Sequence, residues 1–489
     1  MVLSSAVFLF IFLPIFLAVY FLVPSRWNAL RNVVLLVGSL LFYSWDESMV
    51  TWLSSMGVCL IVNWLAGIAL GKVAPRGGAA KLILGATLFI CLGLLFYFKY
   101  ANFFLDVSRQ ALGLVGVSSE FLSHPLKVIM PLGISFYTFH CLSYSIDVYR
   151  GTIVPTKNLL EFATYLTMFP QLIAGPIVRY STVFKQLSDR SVRAVDVEEG
   201  IKRFLIGAFK KVLIANPLAV PVDAIFALPS NELSFELCWL GTICYTLQIY
   251  FDFSAYSDMA IGLARLMGFH FLENFNYPYI SQSIKEFWRR WHISLSTWFR
   301  DYLYIPLGGS RGAPWRTYLN LWIIFLVCGL WHGANWTFLI WGAYHGGFLV
   351  IERLGLESIL ARVPRFFRHT YAVVTIMCGW VFFRAETLQE AIQFLKYMFV
   401  VVPAAPNARV ASEFFSGVPK AAMVAGTLIA TGVPLSIVTK MSAEIENRGG
   451  SVARIAWRSV SVVGVAMGCV LVWMSLISGS YNPFIYYRF

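Results

Sequence analysis

Apolar runs long enough to cross a lipid bilayer recur from one end of the chain to the other, and this decides what it can fold into. A bilayer core about 30 Å thick takes about 20 residues of helix. Runs at about 7–23, 32–45, 49–70, 82–98 and 125–148 approach that length. Further runs lie at about 235–263, 317–351, 370–383, 388–402, 419–439 and 459–478. Only 13% of the residues are charged, about half the share in soluble domains. A chain of 489 residues so poor in polar groups cannot clothe soluble domains of that total size. Disorder, a secreted disulfide scaffold and an ordinary cytosolic enzyme are excluded. The expected fold is all-α: a polytopic integral membrane helical bundle with re-entrant segments and interfacial helices. Roughly ten to twelve crossings fit within one membrane-embedded domain over 1–489.

The net charge of +13 comes from small basic groups between apolar runs, not from a block that would grip nucleic acid. Arg26, Arg31, Lys72, Arg76 and Lys81 read as cytoplasmic, Asp46 and Glu47 as outside, and the N-terminus as outside. Val7–Val23 has no basic residue before it and no small-residue cleavage site after it, so it is not read as a cleaved signal. The eight cysteines fall mostly in apolar runs without a C-x-x-C pair, which suggests buried thiols and no metal.

Spans within 1–150 are followed by Leu159–Val178, which carries Pro170 and Gly175-Pro176 between Lys157 and Arg179. That segment reads as a re-entrant hairpin, tolerated where protein or water satisfies its backbone. Ile201–Ala215 places Ile201, Phe204, Leu205, Ala208 and Val212 on one face and Lys202, Arg203, Lys210 and Lys211 on the other. It is expected to lie on the cytoplasmic surface against anionic lipid, the alternative being the solvated face of a buried helix. A core over 235–351 contains the charged, aromatic stretch 265–316, expected at the cytoplasmic interface. Spans over 370–478 and an aromatic tail, 479–489, complete the chain.

An ionisable residue inside an apolar run is a functional candidate. His332 lies in G-L-W-H-G-A-N-W, about 20 Å of helix from Tyr318 and flanked by Gly329 and Gly333. A neutral imidazole there can take a proton from an attacking hydroxyl, although a hydrogen-bonded packing histidine fits the same pattern. His292 lies in E-F-W-R-R-W-H-I-S-L-S-T-W-F-R-D-Y. Its helix is either an aromatic anchor or a cation-lined entrance for a phosphate-bearing donor, with Lys285, Arg289 and Arg290 as the charges. Trp288, Trp331 and Asn335 join them as donor-binding candidates. His140 and His345 read as packing residues, and His124 and His369 as surface ones. There is no G-x-x-x-x-G-K-[ST], G-x-S-x-G or H-E-x-x-H, so nucleotide hydrolysis, a serine-hydrolase elbow and a zincin lack support.

Three further stretches complete a pattern: Y-F-D-F-S-A-Y-S-D-M-A-I-G from Tyr250, E-N-F-N-Y-P-Y-I-S from Glu273, and P-Q-L-I-A-G-P-I-V-R-Y from Pro170. With the His292 and His332 motifs they resemble the bacterial membrane-bound O-acyltransferases (MBOAT). Within that family the likeness is to the group of the alginate O-acetylation membrane subunit and its cellulose- and peptidoglycan-acetylating relatives. The resemblance implies a funnel from each side meeting near His332, with His292 matching a second functional position. It implies acetyl transfer from a cytoplasmic donor, expected to be acetyl-CoA, with no permanently bound cofactor. The acceptor is expected to be an exopolysaccharide such as alginate, reached through a periplasmic partner of SGNH-hydrolase type. The expected location is the bacterial inner membrane. A glycan or lipid flippase, and a scaffold that docks a periplasmic enzyme, remain the alternatives.

The tail contains Phe484, Tyr486 and Phe489 in the spacing F-x-Y-x-x-F. It reads either as an aromatic belt or, by resemblance to the tail of the small partner in D-alanylating members, as an acyl relay through Tyr486. In the second reading His332 serves as base for the tyrosine hydroxyl.

Overall fold

The computed structural model describes all residues except 46–48, 117–124, 127, 402–408, 449, 480, 481, 483, 484 and 486–489. Six helices form the N-terminal part: α1 (Leu13–Leu22), α2 (Asn28–Tyr43), α3 (Met49–Leu70), α4 (Gly78–Leu95), α5 (Ala101–Leu114) and α6 (Ile134–Arg150). A wide (π) turn, Phe96–Tyr100, joins α4 to α5. The buried segment that follows contains α7 (Leu159–Thr167) and α8 (Phe169–Leu172), then extended chain leading to α9 (Tyr180–Ser188). Pro170 sits in the first turn of α8, where its missing N–H costs nothing. Tyr165 Oη donates to the Val178 carbonyl at 3.0 Å, and the segment is buried from Phe162 to Val178, so protein satisfies its backbone.

The centre is a long antiparallel pair. α10 (Ala194–Phe209) continues through a wide turn, Lys210–Ala215, into α11 (Asn216–Phe226). Beside it runs α12 (Phe235–Leu266), 32 residues long and buried along nearly its whole length. Gly207 and Gly262 permit the close approach: a Cβ on either would lie 2.6 Å from the backbone carbonyl of Ala255 or Gly200. This pair overturns the expected surface helix over Ile201–Ala215. Lys211 pairs with Asp252 at 2.6 Å, and Lys210 and Arg203 pair with Asp258, each at 2.7 Å. The cations expected to meet lipid headgroups instead neutralise the two aspartates inside the apolar run of α12. Buried charge requires such pairing. Lys202, opposite them, is the exposed member of the set.

Two short helices follow, α13 (Ile284–Arg290) and α14 (Ile293–Phe299), then a hairpin of α15 (Pro314–His332) and α16 (Trp336–Ile351). The expected run 317–351 is thus broken at 333–335. Gly329 and Gly342 meet across the hairpin, where a Cβ on either would overlap a carbonyl of the other helix. α17 (Glu357–Arg362), α18 (Arg365–Arg384), α19 (Leu388–Phe399) and α20 (Ala411–Phe414) lead to α21 (Gly417–Ala430), α22 (Val433–Arg448) and α23 (Ser451–Ile477). The run 388–402 yields only the 12-residue α19, capped by Thr387 and buried on one face through Ala391, Phe394 and Met398. At about 18 Å it is too short to cross. The run 419–439 is bent by 64° between α21 and α22. Gly432, at φ +72°, ends one helix, and Pro434 lies in the first turn of the next.

Among the described residues, five helices are long and apolar enough to cross a membrane, or six if the bent pair is one span. Their exposed faces are apolar, as on α23, where Val452, Val462 and Met467 are all exposed. That is the surface a bilayer covers. Removing one partner of a buried ion pair strands the other. Lys211→Met is therefore expected to lower stability by about 3–5 kcal/mol. Lys211→Met with Asp252→Asn is expected to recover part of that loss. Thermal unfolding of the detergent-solubilised variants measures both.

Candidate active site

His332 is the last residue of α15 and is buried against three rings: Trp331 at 4.9 Å, Trp341 at 5.0 Å and Phe383 at 5.1 Å between centroids. Its Nδ1 is buried with no protein partner. The chain leaves the helix immediately afterwards, because Gly333 is extended and Asn335 opens α16 by accepting from the Thr337 N–H at 3.1 Å.

His292 is fully buried, its ring 6.1 Å from the same Trp331 indole. It stands between α13 and α14 at φ +44°, a left-handed conformation unusual for a residue other than glycine. Asn274 holds it there. The Asn274 backbone carbonyl accepts from the Ile293 N–H at 2.9 Å. Its side-chain oxygen accepts from Ser294 N at 3.1 Å and Ser294 Oγ at 2.8 Å, and lies 3.2 Å from His292 Nδ1. Its amide nitrogen donates to Ser257 Oγ at 3.1 Å, and the Ser294 backbone N–H, which can only donate, fixes the amide orientation. An oxygen that already accepts two hydrogen bonds needs a donor at the third, so the network assigns the proton to His292 Nδ1. Nε2 then carries a lone pair. It is buried and has no protein partner.

Three indole nitrogens, those of Trp288, Trp331 and Trp341, are likewise buried without partners. Buried polar atoms are nearly always hydrogen-bonded, so these atoms, like the ring nitrogens of His140 and His345, are open to a ligand or a water. A cavity of about 370 Å³ approaches from the side of α13 and α14. Lys285, Arg289, Arg300 and Arg353 put cations in its lining beside the carboxylates of Glu352 and Glu357, while Trp288, Leu295, Phe325 and Cys328 supply apolar wall. Cys328 is one helical turn, about 6 Å of rise, before His332. Trp288 lines the cavity and packs edge-on against Trp341 at 5.7 Å, so an aromatic layer separates the cavity from the His332 ring.

Of the expected donor contacts, Lys285, Arg289 and Trp288 line this cavity, and Lys285 is also paired with Glu357 at 2.9 Å. Arg290 instead pairs with Glu286 at 2.9 Å and donates to the Asn276 carbonyl. Trp331 packs against both histidines. Asn335 is a helix cap whose amide also donates to the Glu386 carbonyl at 3.0 Å. Beside the cavity, Asp301 receives Arg300 at 2.7 Å and Arg179 at 2.8 Å. Burial pushes its carboxyl up, but those two hydrogen bonds outweigh burial and hold it below the usual carboxylate range.

His140 and His345 pack among rings, with neither ring nitrogen of either bonded to protein. His369 Nδ1 lies 3.2 Å from the Ser281 carbonyl, and His270 is half exposed beside Asp196. His124 and Tyr486 lie outside the described residues. Next to Tyr486, the Ile485 N–H donates to Asp252 Oδ2 at 2.9 Å, and Asn482 bonds Asn216 at 3.0 Å. Ile485 is buried, so this part of the tail is seated in protein. Among the described residues no group of three His, Cys, Asp or Glu is placed to hold a metal.

Two site residues escaped the sequence reading. Asn274 was quoted in E-N-F-N-Y without a role. Lys99 follows the apolar run 82–98 directly and passes for a flanking charge. It reaches the end of α15, donating to the carbonyls of Trp331 at 2.6 Å and His332 at 3.1 Å.

Comparison with known proteins gives a consistent result. The profile described as "MBOAT, membrane-bound O-acyltransferase family" matches residues 127–388. A protein named probable alginate O-acetylase AlgI, from Azotobacter vinelandii, is 47% identical over 401 residues, covering 82% of this chain and 78% of that protein. The peptidoglycan O-acetyltransferase of Helicobacter pylori is 35% identical over 431 residues, 81% of this chain and 79% of its own. The teichoic acid D-alanyltransferase of Bacillus subtilis is 32% identical over 253 residues, 46% of this chain and 61% of its own.

The Asn274 network carries a stability prediction. Asn274→Leu removes the acceptor from three buried donors, each costing about 1–3 kcal/mol when unsatisfied. A stability loss of at least about 3 kcal/mol is expected by thermal unfolding in detergent. Asn274→Asp, which keeps the acceptor, is expected to lose less.

Proposed function

We propose that this chain, which belongs to the membrane-bound O-acyltransferase family, moves an acetyl group from acetyl-CoA toward a polysaccharide outside the bacterial inner membrane. The family membership makes it a multi-pass membrane enzyme. The observation that carries the finer reading is the apolar-walled cavity, with four cations against two carboxylates in its lining, whose inner wall is one helical turn from His332. Its lining suits a donor with phosphates at one end and a thin acyl thioester at the other.

In this reading the acceptor hydroxyl attacks the thioester carbonyl while His332 takes its proton. The tetrahedral intermediate collapses, the C–S bond breaks, and the CoA thiolate receives the proton back from the imidazolium. Holding the two reactants in line in a dry site contributes about 7–11 kcal/mol at best. His292, held by Asn274 with its lone pair on Nε2, accepts a hydrogen bond from the reacting hydroxyl and helps to orient it. That tautomer cannot donate to an oxyanion, and the Gly333 N–H is already bonded to the Gly329 carbonyl at 3.2 Å. The unpartnered indole N–H of Trp331 therefore takes the oxyanion role.

The acceptor class follows the relatives named as alginate and peptidoglycan O-acetylating enzymes. An alginate-like exopolysaccharide is the first choice, reached through a periplasmic partner of SGNH type. Tyr486 is assigned as the acyl relay between chain and partner. The seating of Ile485 on Asp252 supports this, because the next helical residue, Phe253, lies edge-on against His292 at 4.7 Å. A flippase or scaffold reading gives no use to the unpartnered imidazole and indole nitrogens.

Transfer of label from acetyl-CoA to polymer, with purified chain and partner, tests the proposal. His332→Ala is expected to reduce transfer by about 10²–10⁴-fold with normal membrane insertion. Full transfer in that variant removes His332 from the chemistry. Inside-out vesicles are expected to use added acetyl-CoA, while sealed right-side-out ones do not. Tyr486→Phe keeps the ring and removes only the oxygen. It is expected to block polymer acetylation while leaving acetyl-CoA binding unchanged.

A further inference from the structure

The last turn of α15 is held by two consecutive residues from far away in the chain. The final four carbonyls of a helix have no intrahelical donor beyond what the exit geometry supplies. Here Gly329 accepts from the Gly333 N–H, and the other three are met from the wide turn Phe96–Tyr100. Tyr100 Oη donates to the Leu330 carbonyl at 2.8 Å. Lys99 Nζ donates to the carbonyls of Trp331 at 2.6 Å and His332 at 3.1 Å, and to Ser135 Oγ at 3.2 Å.

All three ammonium donors are therefore used. Lys99 has none left for a thioester oxygen or a phosphate, so it is not built to touch substrate. No carboxylate is recorded against it among the described residues. Its charge is matched instead by the negative end of α15, the favourable place for a cation on a helix. The ring of Trp331 lies 5.9 Å from the same ammonium. A wide turn inside a helix is an irregularity common at functional sites. Here it carries both capping residues.

His332 occupies the very end of this helix, where an uncapped turn frays. We propose that Lys99 and Tyr100 form a clamp that positions His332 and Trp331 for the transfer step, without contacting either substrate. The inference rests on the acyl-transfer reading above. The donor cavity is lined by residues of α13–α16 and the segments flanking them, none of which is Lys99 or Tyr100. The clamp should therefore govern turnover and leave donor binding alone.

Kinetics with acetyl-CoA in vesicles that hold the complete acetylating system, beside acetyl-CoA binding to detergent-purified protein, test it. Misplacing a catalytic group by about 1 Å costs about 100-fold, so Lys99→Met is expected to lower kcat by about that factor. Its Kd for acetyl-CoA should stay within about threefold of the parent's, less than one unit of binding energy on the scale of about 1.4 kcal/mol per tenfold. Lys99→Arg, which keeps cation and donors, is expected to recover at least about a tenth of parental turnover, well above Lys99→Met. Tyr100→Phe removes one hydrogen bond of about 1 kcal/mol and is expected to cost several-fold in kcat. If Lys99→Met does not fold, Tyr100→Phe decides. Parental kcat in Tyr100→Phe, or equal loss of kcat and donor binding across the series, overturns the clamp. His332→Ala runs alongside. No acetyl transfer by the parent chain overturns the acyl-transfer reading itself, activity in His332→Ala removes His332 from the chemistry and with it the clamp's purpose, and loss of activity there with the clamp variants fully active overturns the clamp alone.

Discussion

Every charge placed inside an apolar bundle must find a counterpart there, and in this chain those counterparts dictate which helices lie together. Asp252 and Asp258 draw Lys211, Lys210 and Arg203 onto α12 and turn an apparent surface helix into half of the central antiparallel pair. Glycines at 200, 207 and 262 let the two backbones close around those pairs. Lys99 obeys the same constraint differently, taking the carbonyl end of a helix as its counter-charge. One arrangement joins the two long helices of the core. The other joins the N-terminal helices to the hairpin that ends in His332.

Geometry around the two histidines places an aromatic layer between the cavity and the His332 ring. Trp288, Trp331 and Trp341 bring large apolar area with one polar atom each, so they exclude water and still offer a donor at a defined place. Charge in the cavity lining, from Lys285, Arg289, Arg300 and Arg353, stays outside that layer. Reaction chemistry inside it can then proceed in a site of low polarity, where a single well-placed N–H has more effect than it has in water.

Much of this was legible in the sequence. The length and spacing of the apolar runs gave the helical membrane class, and Pro170 with Gly175-Pro176 marked the broken, buried segment. His332 stood out because an ionisable residue interrupts an apolar run between glycines. The surface-helix expectation failed because sequence shows which residues are charged, not what will face them. Lys210 and Lys211 fit a lipid-facing stripe until the aspartates of α12 are placed opposite. Nor does sequence show that Arg290 and Asn335 make local hydrogen bonds, with Glu286 and Thr337. Run 388–402 has the composition of a span, but the capping box at Thr387 and the polar face of α19 make it a short surface helix.

The two histidines are not interchangeable, and the backbone explains why. His292 is held in a left-handed conformation by a network centred on one amide, so its proton and its ring direction are set before any substrate arrives. His332 has no such restraint on its ring: Nδ1 is unpartnered, and the hydrogen bonds nearby fall on its carbonyl instead of its imidazole. A group that must gain and lose a proton within one turnover is better served by an unbonded ring on a fixed backbone. A group that only orients a hydroxyl is better served by a fixed tautomer. The fold supplies one of each against Trp331, which is in keeping with the proposal that the histidine at the helix end transfers the proton and the histidine in the strained turn orients the hydroxyl.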